Sequence, residues 1–415
     1  MAAPAVVMNM FYTGLGIARS LGEHGIPVIG LTAQPGVYGT YTRYAKTRLC
    51  PDSRTQPEEL LDYLLHMGRE LAQRAVIFPT RDDDVAFLDR YREELSPYFV
   101  AVIPDRAALN ACLNKWETFQ WACKTGVSCP KSWLVESEEE LARQLPEIRY
   151  PCVLKPLCSH HWRQPGKWDL VGNRKAVAIQ SPRQLLAEYA TISQAERRAI
   201  VQELVPGKDD CLLIVACYFD QHGRWVAGFN TRKVVQVPEG FGTGCIVQAT
   251  SKPELLAPTR RMLEAMKFSG IAEVEYKWDA AKQAYQLIEI NPRPWDQHRL
   301  GKCCGTDLAY LAYRDRAGLP VSETAAAPAE IKWIAEDALL LELFSLAWKR
   351  DRRALSLLKK ASGKRIYAIS SWSDPLPVLM YLKNHLVPLL ARQFVGRIKG
   401  MIRARQVDIK TGACV

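Results

Sequence analysis

The stretch YQLIEINPRPW, residues 285–295, combines the pattern of a buried strand with polar side chains that such a strand does not need. Its first half is mostly apolar, yet Glu289 and Asn291 lie inside it, two residues apart. Side chains at positions i and i+2 of a strand project from the same face. The carboxylate and the carboxamide therefore point at one spot, and Arg293 continues the row if the chain stays extended. We expect this spot to bind something that prefers oxygen ligands.

A second carboxylate is expected opposite the first. The segment 270–294 reads as two antiparallel strands that turn near residues 279–283, which brings Glu275 close to Glu289. Like charges that face each other across a sheet destabilise it. A divalent cation removes that cost, and Mg²⁺ is usually held by one or two carboxylates together with substrate phosphates. Glu275, Glu289 and Asn291 are therefore predicted ligands of Mg²⁺ or Mn²⁺, in preference to positions on a solvent-exposed sheet face.

The composition is that of a globular protein with more than one domain. The chain has 415 residues, of which 48% are hydrophobic and 24% charged, and single cores stop growing at roughly 250–300 residues. The sequence has no run of about 18 apolar residues, so we expect no transmembrane helix. The first residues lack the basic region of a signal peptide. The twelve cysteines form no CxxC pair, so we expect reduced thiols in a cytoplasmic protein.

The positive net charge of +11 belongs to the C-terminal tail. Residues 349–415 contain 15 Lys and Arg but 3 Asp and Glu, whereas the rest of the chain contains 40 basic and 41 acidic residues. A basic footprint over the whole protein, which a nucleic-acid-binding protein would show, is therefore absent. The tail has apolar residues at roughly helical spacing, which predicts docking onto the protein body. Peripheral association with an anionic membrane surface is the alternative.

The N-terminal part reads as a parallel α/β unit. Residues 5–32 give a strand, a glycine-containing turn, a helix and a second strand. Gly14 and Gly16 do not complete the GxGxxG pattern of dinucleotide-binding folds, so a tight turn without a cofactor is the preferred interpretation. Residues 75–91 repeat the strand and helix, with three aspartates at 82–84. These are expected to cap the helix, and a place in an active-site cleft is the alternative.

Four motifs together resemble the ATP-grasp superfamily of carboxylate-amine ligases, which includes D-alanine:D-alanine ligase, biotin carboxylase and carbamoyl phosphate synthetase. The similarity spans roughly residues 1–315 and is closest to the D-aspartate-ligase-like group. In chain order the motifs are NKWETFQWACKTGVSCPKS (114–132), YPCVLKP (150–156), VQELVPG (201–207) and LIEINPRP (287–294). Each motif alone is weak, but their order and spacing are specific in combination.

The resemblance implies an architecture of α/β and α+β parts. A Rossmann-like N-terminal domain is expected over residues 1–108. An ATP-grasp domain follows over residues 109–320, with two α+β lobes at about 109–200 and 201–320. A mainly helical, basic extension completes the chain from 321 to 415. The expected partners are a small-molecule carboxylate and an amine, with no specific nucleic acid, and a homodimer is compatible with the sequence.

The resemblance also assigns ATP-binding residues. Lys115 and Lys155 match the two lysines that contact the ATP phosphates, and a lysine inside the apolar strand CVLKPL suits this role as a point charge. In the resembled family, one segment contacts the edge of adenine through its backbone and an acidic side chain. Glu203, Leu204 and Val205 match this segment, and Gln202 is the alternative position for the acidic residue. Either Asp209 or Asp210 matches the acid that holds the ribose hydroxyls.

The remaining matches concern the phosphate that is transferred. Glu275, Glu289 and Asn291 match the magnesium ligands, and Arg293 matches an arginine near the phosphoryl group or the carboxylate substrate. On a preceding strand, Arg232 or Lys233 is expected to support the transferred phosphate. Relatives carry a glycine-rich flap after the second lysine, whereas CSHHWRQPGKW (158–168) contains one glycine here. We expect this segment to form a charge-rich lid.

The predicted activity is an ATP-dependent ligation of a carboxylate to an amine through an acyl phosphate, with an amino acid as one substrate. Charge neutralisation by metal ions, lysines and an arginine would carry this chemistry. One alternative is an ATP-binding scaffold or regulatory protein without turnover. The other is a nucleic-acid-binding protein that uses the basic tail.

Overall fold

The computed structural model of the chain describes residues 2–164, 166–237, 242–327 and 329–388. These residues form three β-sheets with helices packed against them, so the protein is a mixed α/β structure. One sheet is parallel, the second is antiparallel, and the third is a larger sheet that is mainly antiparallel. The predicted change from α/β to α+β along the chain agrees with this order.

The first sheet is parallel and belongs to the N-terminal part of the chain. Its five strands are β1 (Ala5–Met8), β2 (Val28–Thr32), β3 (Lys46–Leu49), β4 (Ala75–Phe78) and β5 (Phe99–Ala101). They lie in the order β3-β2-β1-β4-β5. The helices of this part are α1 (Tyr12–Gly22), α2 (Pro57–Glu70), α3 (Asp82–Arg90) and α4 (Arg92–Leu95). Every residue of β1 and β4 is buried, as expected for parallel strands covered on both faces.

The second sheet has four antiparallel strands. Two helices precede it: α5 (Arg106–Leu113) and α6 (Lys115–Thr125). Its strands are β6 (Ser132–Val135), β7 (Cys152–Pro156), β8 (Val177–Ile179) and β9 (Ala199–Glu203), and they lie in the order β6-β9-β7-β8. The helices between these strands are α7 (Glu138–Gln144), α8 (Ser159–Trp162), α9 (Lys167–Leu170) and α10 (Pro182–Ile192).

The third sheet is the largest. Its strands are β10 (Leu212–Phe219), β11 (Trp225–Val237), β12 (Thr243–Thr250), β13 (Gly270–Asp279), β14 (Ala284–Asn291), β15 (Thr324–Ala325), β16 (Lys332–Ile334) and β17 (Arg365–Tyr367). Their order is β14-β13-β10-β11-β12-β16-β17, and β15 pairs with β11. Six helices belong to this part: α11 (Leu256–Ala265), α12 (Leu300–Cys303), α13 (Leu308–Arg316), α14 (Glu336–Trp348), α15 (Arg353–Ala361) and α16 (Leu376–Tyr381).

The predicted pairing of two carboxylates across a hairpin is confirmed. Strands β13 and β14 are antiparallel, with Glu275 opposite Glu289 and Glu273 opposite Asn291. A β-bulge after Glu275 shifts the register of the rest of the hairpin. Bulges bend a strand and redirect side chains. The hairpin therefore carries three carboxylates and one carboxamide at neighbouring positions near its open end.

Two glycines of α1 permit close contacts, Gly14 with the turn that precedes the helix and Gly16 with the segment that follows β14. A Cβ atom on Gly14 would lie 1.8 Å from the carbonyl oxygen of Asn9, and one on Gly16 would lie 2.6 Å from Nε2 of His298. These contacts leave no room for side chains. They give a physical reason for the tight turn that was predicted without a cofactor. The close approach also brings Thr13 within hydrogen-bonding distance of Asp296.

The described part of the C-terminal extension packs on the protein body, and docking of the whole basic tail stays a prediction. Strands β16 and β17 extend the large sheet, and a buried ion pair joins Arg19 of α1 to Asp374, with Nε and Oδ2 2.9 Å apart. Thr42 and the backbone N–H of Arg43 also donate to the Asp374 carboxylate. Residues 389–415, the rest of the basic tail, lie outside the described residues. No helix in the described part of the chain is long and apolar enough to cross a membrane.

Candidate active site

Segments from all three sheets border one cavity with a volume of about 420 Å³. Eleven of the residues singled out in the sequence line it: Lys115, Lys155, Gln202, Glu203, Leu204, Val205, Lys233, Glu275, Glu289, Asn291 and Arg293. These residues are spread over nearly 180 positions of the chain, and the fold brings them to one place. Arg232, Asp209 and Asp210 do not line this cavity.

One side of the cavity is acidic and comes from β13 and β14. Glu273 and Glu275 are buried, and Glu289 lies across from them. Burial and the neighbouring Glu275 raise the pKa of the Glu273 carboxyl to about 8. Burial also disfavours ionisation of Glu289, but Lys115, Lys155 and Lys233 outweigh it and lower the pKa of this carboxyl. Glu289 is thus kept anionic by lysines on other elements.

Of the two basic neighbours on β11, only Lys233 enters the cavity. Its Nζ lies 2.6 Å from Oε1 of Glu275; burial lowers its pKa, but Glu275 and Glu273 outweigh this effect and raise it. Arg232 is exposed and donates to Oε1 of Gln248 at 3.3 Å instead. Consecutive residues of a strand point to opposite faces. Of the two residues considered for the transferred phosphate, Lys233 is therefore the one that lines the cavity, and its role stays a prediction.

The polar groups of the hairpin suit a divalent cation bound together with phosphates. Asn291 Nδ2 donates to Glu273 Oε2 at 3.0 Å and to Glu289 Oε1 at 3.4 Å. The amide oxygen of Asn291 is not used in these two bonds. Among the described residues, no group of three His, Cys, Asp or Glu side chains is arranged to hold a metal ion. Two carboxylates and one carboxamide fit Mg²⁺, which usually completes its shell with water and substrate phosphates.

The opposite side of the cavity is basic. Lys155 on β7 donates from Nζ to Oε1 of Gln202 at 2.9 Å, and Gln202 donates from Nε2 to Oγ of Ser132 at 3.0 Å. Burial lowers the pKa of Lys155 to about 8, although Glu289 acts against this shift. Lys115, the first residue of α6, donates from Nζ to Oγ of Ser159 at 2.9 Å. Both lysines therefore reach the cavity held by neutral partners.

Two further cations on this side were not assigned as site residues from the sequence. Arg163 and Lys175, which flank α9, line the cavity. Burial and the nearby Arg163 lower the pKa of Lys175. Arg163 belongs to the predicted charge-rich lid, so its place here agrees with that expectation. Lys175 lies after the predicted lid segment, and its surrounding sequence has no periodic pattern that distinguishes it from a surface lysine.

The segment predicted to read adenine forms one rim of the cavity. Backbone N–H groups of Glu203 and Leu204 donate to the carbonyl oxygens of Lys131 and Pro151, at 2.9 and 3.3 Å. The Glu203 carboxylate accepts from Nζ of Lys282 at 3.1 Å. These bonds fix the end of β9 against its neighbours. The rim is therefore a fixed segment on which a planar ligand could rest.

The two aspartates proposed for ribose lie beside the cavity instead of in its wall. Asp209 accepts from the backbone N–H and from Nε2 of Gln236, at 3.0 and 2.9 Å. Gln236 lines the cavity, while Asp209 borders a second cavity of about 390 Å³. Asp210 is exposed. Of the two, Asp209 is thus the closer to the site, and its contact with the cavity runs through Gln236.

An ion pair joins the parallel unit to the end of β14. Nε of Arg293 lies 2.6 Å from Oδ1 of Asp82, the first residue of α3. Burial opposes ionisation of Asp82, but Arg293 outweighs it and lowers the pKa of this carboxyl to about 2. The capping role expected for the three aspartates belongs to Asp84, which accepts from the backbone N–H groups of Thr80 and Arg81. Asp82 instead follows the alternative, a place in the cleft.

A second aspartate in the wall was missed by the sequence reading. Asp296 accepts from Oγ1 of Thr13 at 2.7 Å, and burial raises the pKa of its carboxyl despite the nearby cations Arg293 and Lys175. Asp296 stands three residues after Arg293, beyond the row that a strand would continue. In the sequence, Asp296 is distinguished only by its position directly after the NPRPW stretch.

The comparisons with known proteins agree with this geometry. No known family profile matches the chain. D-aspartate ligase from Enterococcus faecium (strain Aus0004) is 21% identical over 322 residues, which are 74% of this chain and 74% of that protein. The chain is thus a distant relative of that enzyme over most of its length.

Solved structures resemble the fold at low sequence identity. Biotin carboxylase from Campylobacter jejuni, in a β-γ-ATP complex, has a TM-score of 0.61 and 15% identity, covering 77% of this chain and 72% of that one. N5-carboxyaminoimidazole synthetase from Staphylococcus aureus, with ADP, has a TM-score of 0.60 and 13% identity, covering 79% and 80%. The biotin carboxylase domain dimer of Hydrogenobacter thermophilus 2-oxoglutarate carboxylase, with MgADP and bicarbonate, has a TM-score of 0.61 and 15% identity, covering 78% and 72%.

These proteins have the fold that the four sequence motifs predicted. The motif residues meet in one cavity of this chain, and the similarity to D-aspartate ligase extends over about three quarters of both proteins. The chain therefore resembles ATP-grasp ligases in its fold and in the motif residues that line this cavity.

Proposed function

We propose that the protein joins a carboxylate to an amine at the expense of ATP, with Mg²⁺ as the metal. One observation carries the proposal: the facing carboxylates Glu275 and Glu289 lie across a single cavity from Lys155 and Lys115. Phosphoryl transfer needs positioned charges of both kinds, since metal ions and cations must offset the charge on the phosphates. A cavity with one acidic and one basic side meets that need.

The basic side would bind the triphosphate. Lys115 and Lys155 are assigned to its oxygens, because each hydrogen-bonds to a neutral partner, Ser159 or Gln202, and neither forms a salt bridge with a described residue. The rim at residues 203–205 would hold the adenine base. Asp209 is assigned to the ribose in preference to Asp210, through its bonds to Gln236.

The acidic side would hold the metal. Glu275, Glu289 and Asn291 are its proposed ligands, because they supply oxygen atoms at neighbouring positions of one hairpin. The metal, when bound, would neutralise charge on the phosphates and orient the terminal phosphoryl group. Lys233 already pairs with Glu275 and would add a further positive charge beside the transferred group.

The proposed reaction has two steps. A carboxylate oxygen of the first substrate attacks the terminal phosphorus of ATP, and ADP leaves. The amine nitrogen of the second substrate then attacks the acyl carbon, phosphate leaves, and the amine loses a proton. Arg293 is assigned to the charge on the acyl phosphate, and the cavity would have to exclude water from this intermediate.

Three charged residues that line the cavity, Asp296, Lys175 and Arg163, favour an amino acid as one substrate. Asp296 has a hydrogen bond from Thr13 but no salt bridge with another described side chain. Lys175 and Arg163 line the same cavity without a salt bridge to any described residue. A wall with one unpaired carboxylate and two unpaired cations complements a molecule that carries both an ammonium and a carboxylate group.

The test is product formation by the purified protein with MgATP across a matrix of amino acids and small carboxylates. We expect ADP and a new amide, both identified by mass spectrometry, in wells that contain one particular carboxylate and one particular amine. Glu289→Gln should abolish both products. Glu254→Gln, which alters an exposed glutamate outside the cavity, is the matched control and should leave them unchanged.

The same matrix separates the rival functions. ATP binding without ADP in any well would contradict the ligase and favour a scaffold or regulatory protein. ADP release that needs neither substrate would indicate a simple ATPase. Affinity for random oligonucleotides that falls steeply with salt would favour the nucleic-acid-binding alternative.

A further inference from the structure

Helix α14 is apolar on all sides, yet the body of the protein covers only one of them. The segment 336–348, EDALLLELFSLAW, packs on the core through residues such as Leu339. Leu340, Phe344 and Trp348, spaced four residues apart, keep 48%, 51% and 61% of their surface exposed. A helix that is apolar all round is normally buried on all sides. In the described part of the chain, about half or more of the surface of these three side chains stays exposed to solvent.

Helix α15 packs against α14 and continues the pattern. Its inner side is buried through Leu357, whereas Leu355 and Leu358 keep 71% and 52% of their surface exposed. Arg352 and Lys359 lie three residues before and four residues after Leu355, which is the spacing of one helix face. The outer side of α15 therefore presents apolar and basic side chains next to each other.

The charge on α15 and on the residues that flank it is mostly positive, whereas the acids of α14 are Glu336, Asp337 and Glu342. Residues 349–365 contain eight Lys and Arg, all of them exposed, and a single acid, Asp351, which pairs with Arg353. Exposed leucine and aromatic side chains bordered by clustered cations are typical of helices that lie in the headgroup region of a membrane. Half of these cations are lysines, which are depleted at protein interfaces, whereas arginine and aromatic side chains are enriched there, so a second copy of the chain is an outcome of the test below. Nucleic acid would not explain the apolar stripe.

We propose that the outer sides of α14 and α15 form a surface that binds anionic lipid membranes. Its apolar members are Leu340, Phe344, Trp348, Leu355 and Leu358, and its basic members include Arg350, Arg352 and Lys359; together we call them the basic apolar surface. The apolar side chains enter the headgroup region, while the cations contact lipid phosphates. This inference does not depend on the proposed ligase activity, because it uses none of the cavity residues.

The test is sedimentation of the full chain with vesicles of phosphatidylcholine alone or mixed with phosphatidylglycerol. We expect clear binding to the mixed vesicles, weak binding to the neutral ones, and weaker binding as salt is added. The triple variant Leu340→Ser, Phe344→Ser and Trp348→Ser should bind the mixed vesicles about tenfold more weakly or worse, since it removes the apolar insertion. Its control is Leu49→Ser with Leu319→Ser, two exposed leucines elsewhere.

A charge variant keeps the proposal testable if the serine variant unfolds, which circular dichroism and thermal unfolding would detect. Arg350→Glu, Arg352→Glu and Lys359→Glu should abolish the preference for anionic vesicles. Arg69→Glu with Arg183→Glu, at exposed positions of α2 and α10, should not.

Three results would overturn the proposal. The first is absence of binding to either vesicle. The second is binding that neither set of substitutions weakens, which would locate it on another part of the chain. The third is a dimer of the full chain that the serine variant converts to a monomer, since a second copy would then cover this surface.

Discussion

The two sides of the cavity carry opposite charge, and they come from different sheets. The acidic side belongs to the β13–β14 hairpin of the large sheet, with Glu273, Glu275 and Glu289. The basic side belongs to the four-stranded sheet and its neighbours, with Lys155 and Lys115 at its centre. Each side alone places like charges close together, which costs free energy. Each side of the cavity is therefore suited to bind a ligand group of the opposite charge.

The cations on the acidic side differ from those on the basic side in their partners. Lys233 pairs with Glu275 and Arg293 pairs with Asp82, so each of these cations already has a carboxylate beside it. Lys155 and Lys115 hydrogen-bond to a carboxamide and a hydroxyl, so both keep their charge for a ligand. This contrast leads us to assign the metal to one side and the phosphates to the other.

The largest effect is expected from removing a charge on the acidic side. Glu289→Gln should lower the rate of ADP formation about 100-fold or more, because even residues that only support a metal ligand contribute 10–100-fold. Steady-state ADP release, measured over a series of magnesium concentrations, checks this. The exposed Glu254→Gln variant should match the wild type, and equal rates in both variants would contradict the assignment.

Removing a charge on the basic side should have a smaller effect, on nucleotide affinity. Lys155→Met should weaken ATP binding about 30-fold, because a charge-assisted hydrogen bond contributes about 2 kcal/mol. Isothermal titration calorimetry checks the expected loss. Lys131→Met is the matched control, since this lysine directly precedes β6 of the same sheet but is exposed and pairs with Glu147. An unchanged affinity in Lys155→Met would remove the phosphates from this side.

The ion pair between the parallel unit and the hairpin should contribute to stability. Asp82→Asn leaves Arg293 without its carboxylate, and we expect a loss of about 2 kcal/mol in the free energy of unfolding, because a partly buried hydrogen bond between charged groups contributes about that much. Urea unfolding checks this value. Asp83→Asn, at the next position, alters a looser pair with Arg54 at 3.7 Å and should change stability much less. Equal effects would show that the buried pair has no special role.

The smallest expected effect is a pH dependence of ATP binding. The pKa of Lys155 is lowered to about 8 by burial, in an environment where Glu289 and Glu275 raise it while Lys115 and Lys277 lower it. Below about 8 the lysine is charged and attracts phosphate; as pH rises through about 8 it becomes neutral, and affinity should fall several-fold. Calorimetric titrations across this range test it. The same slope in Lys155→Met would assign the dependence to another group.

The sequence predicted the acidic side better than the basic side, and the reason is local geometry. The pairing of Glu275 with Glu289 follows from one hairpin turn, and the structure confirms it. Glu273 was within reach of the same reasoning, since it lies two positions before Glu275 on the same face. Glu273 was not predicted because the residue opposite it in the hairpin is Asn291, which had been assigned only as a metal ligand.

Residues that meet across sheets could not be found in this way. Arg293 and Asp82 are 211 positions apart, and their contact depends on how the parallel unit packs against the hairpin. The choice between Arg232 and Lys233 required knowing which face of β11 meets the cavity, and strand alternation alone does not give this. Domain boundaries at residues 108 and 320, which these contacts cross, stay predictions.

The magnesium dependence of ATP binding, measured in variants of the two sides, tests most directly where the metal and the phosphates bind. Calorimetry should show that magnesium strengthens ATP binding to the wild-type protein. Glu289→Gln should remove this magnesium effect, while ATP binding without magnesium persists. Lys155→Met should weaken ATP binding both with and without magnesium. A full magnesium effect in Glu289→Gln would contradict the assignment of the metal to the acidic side.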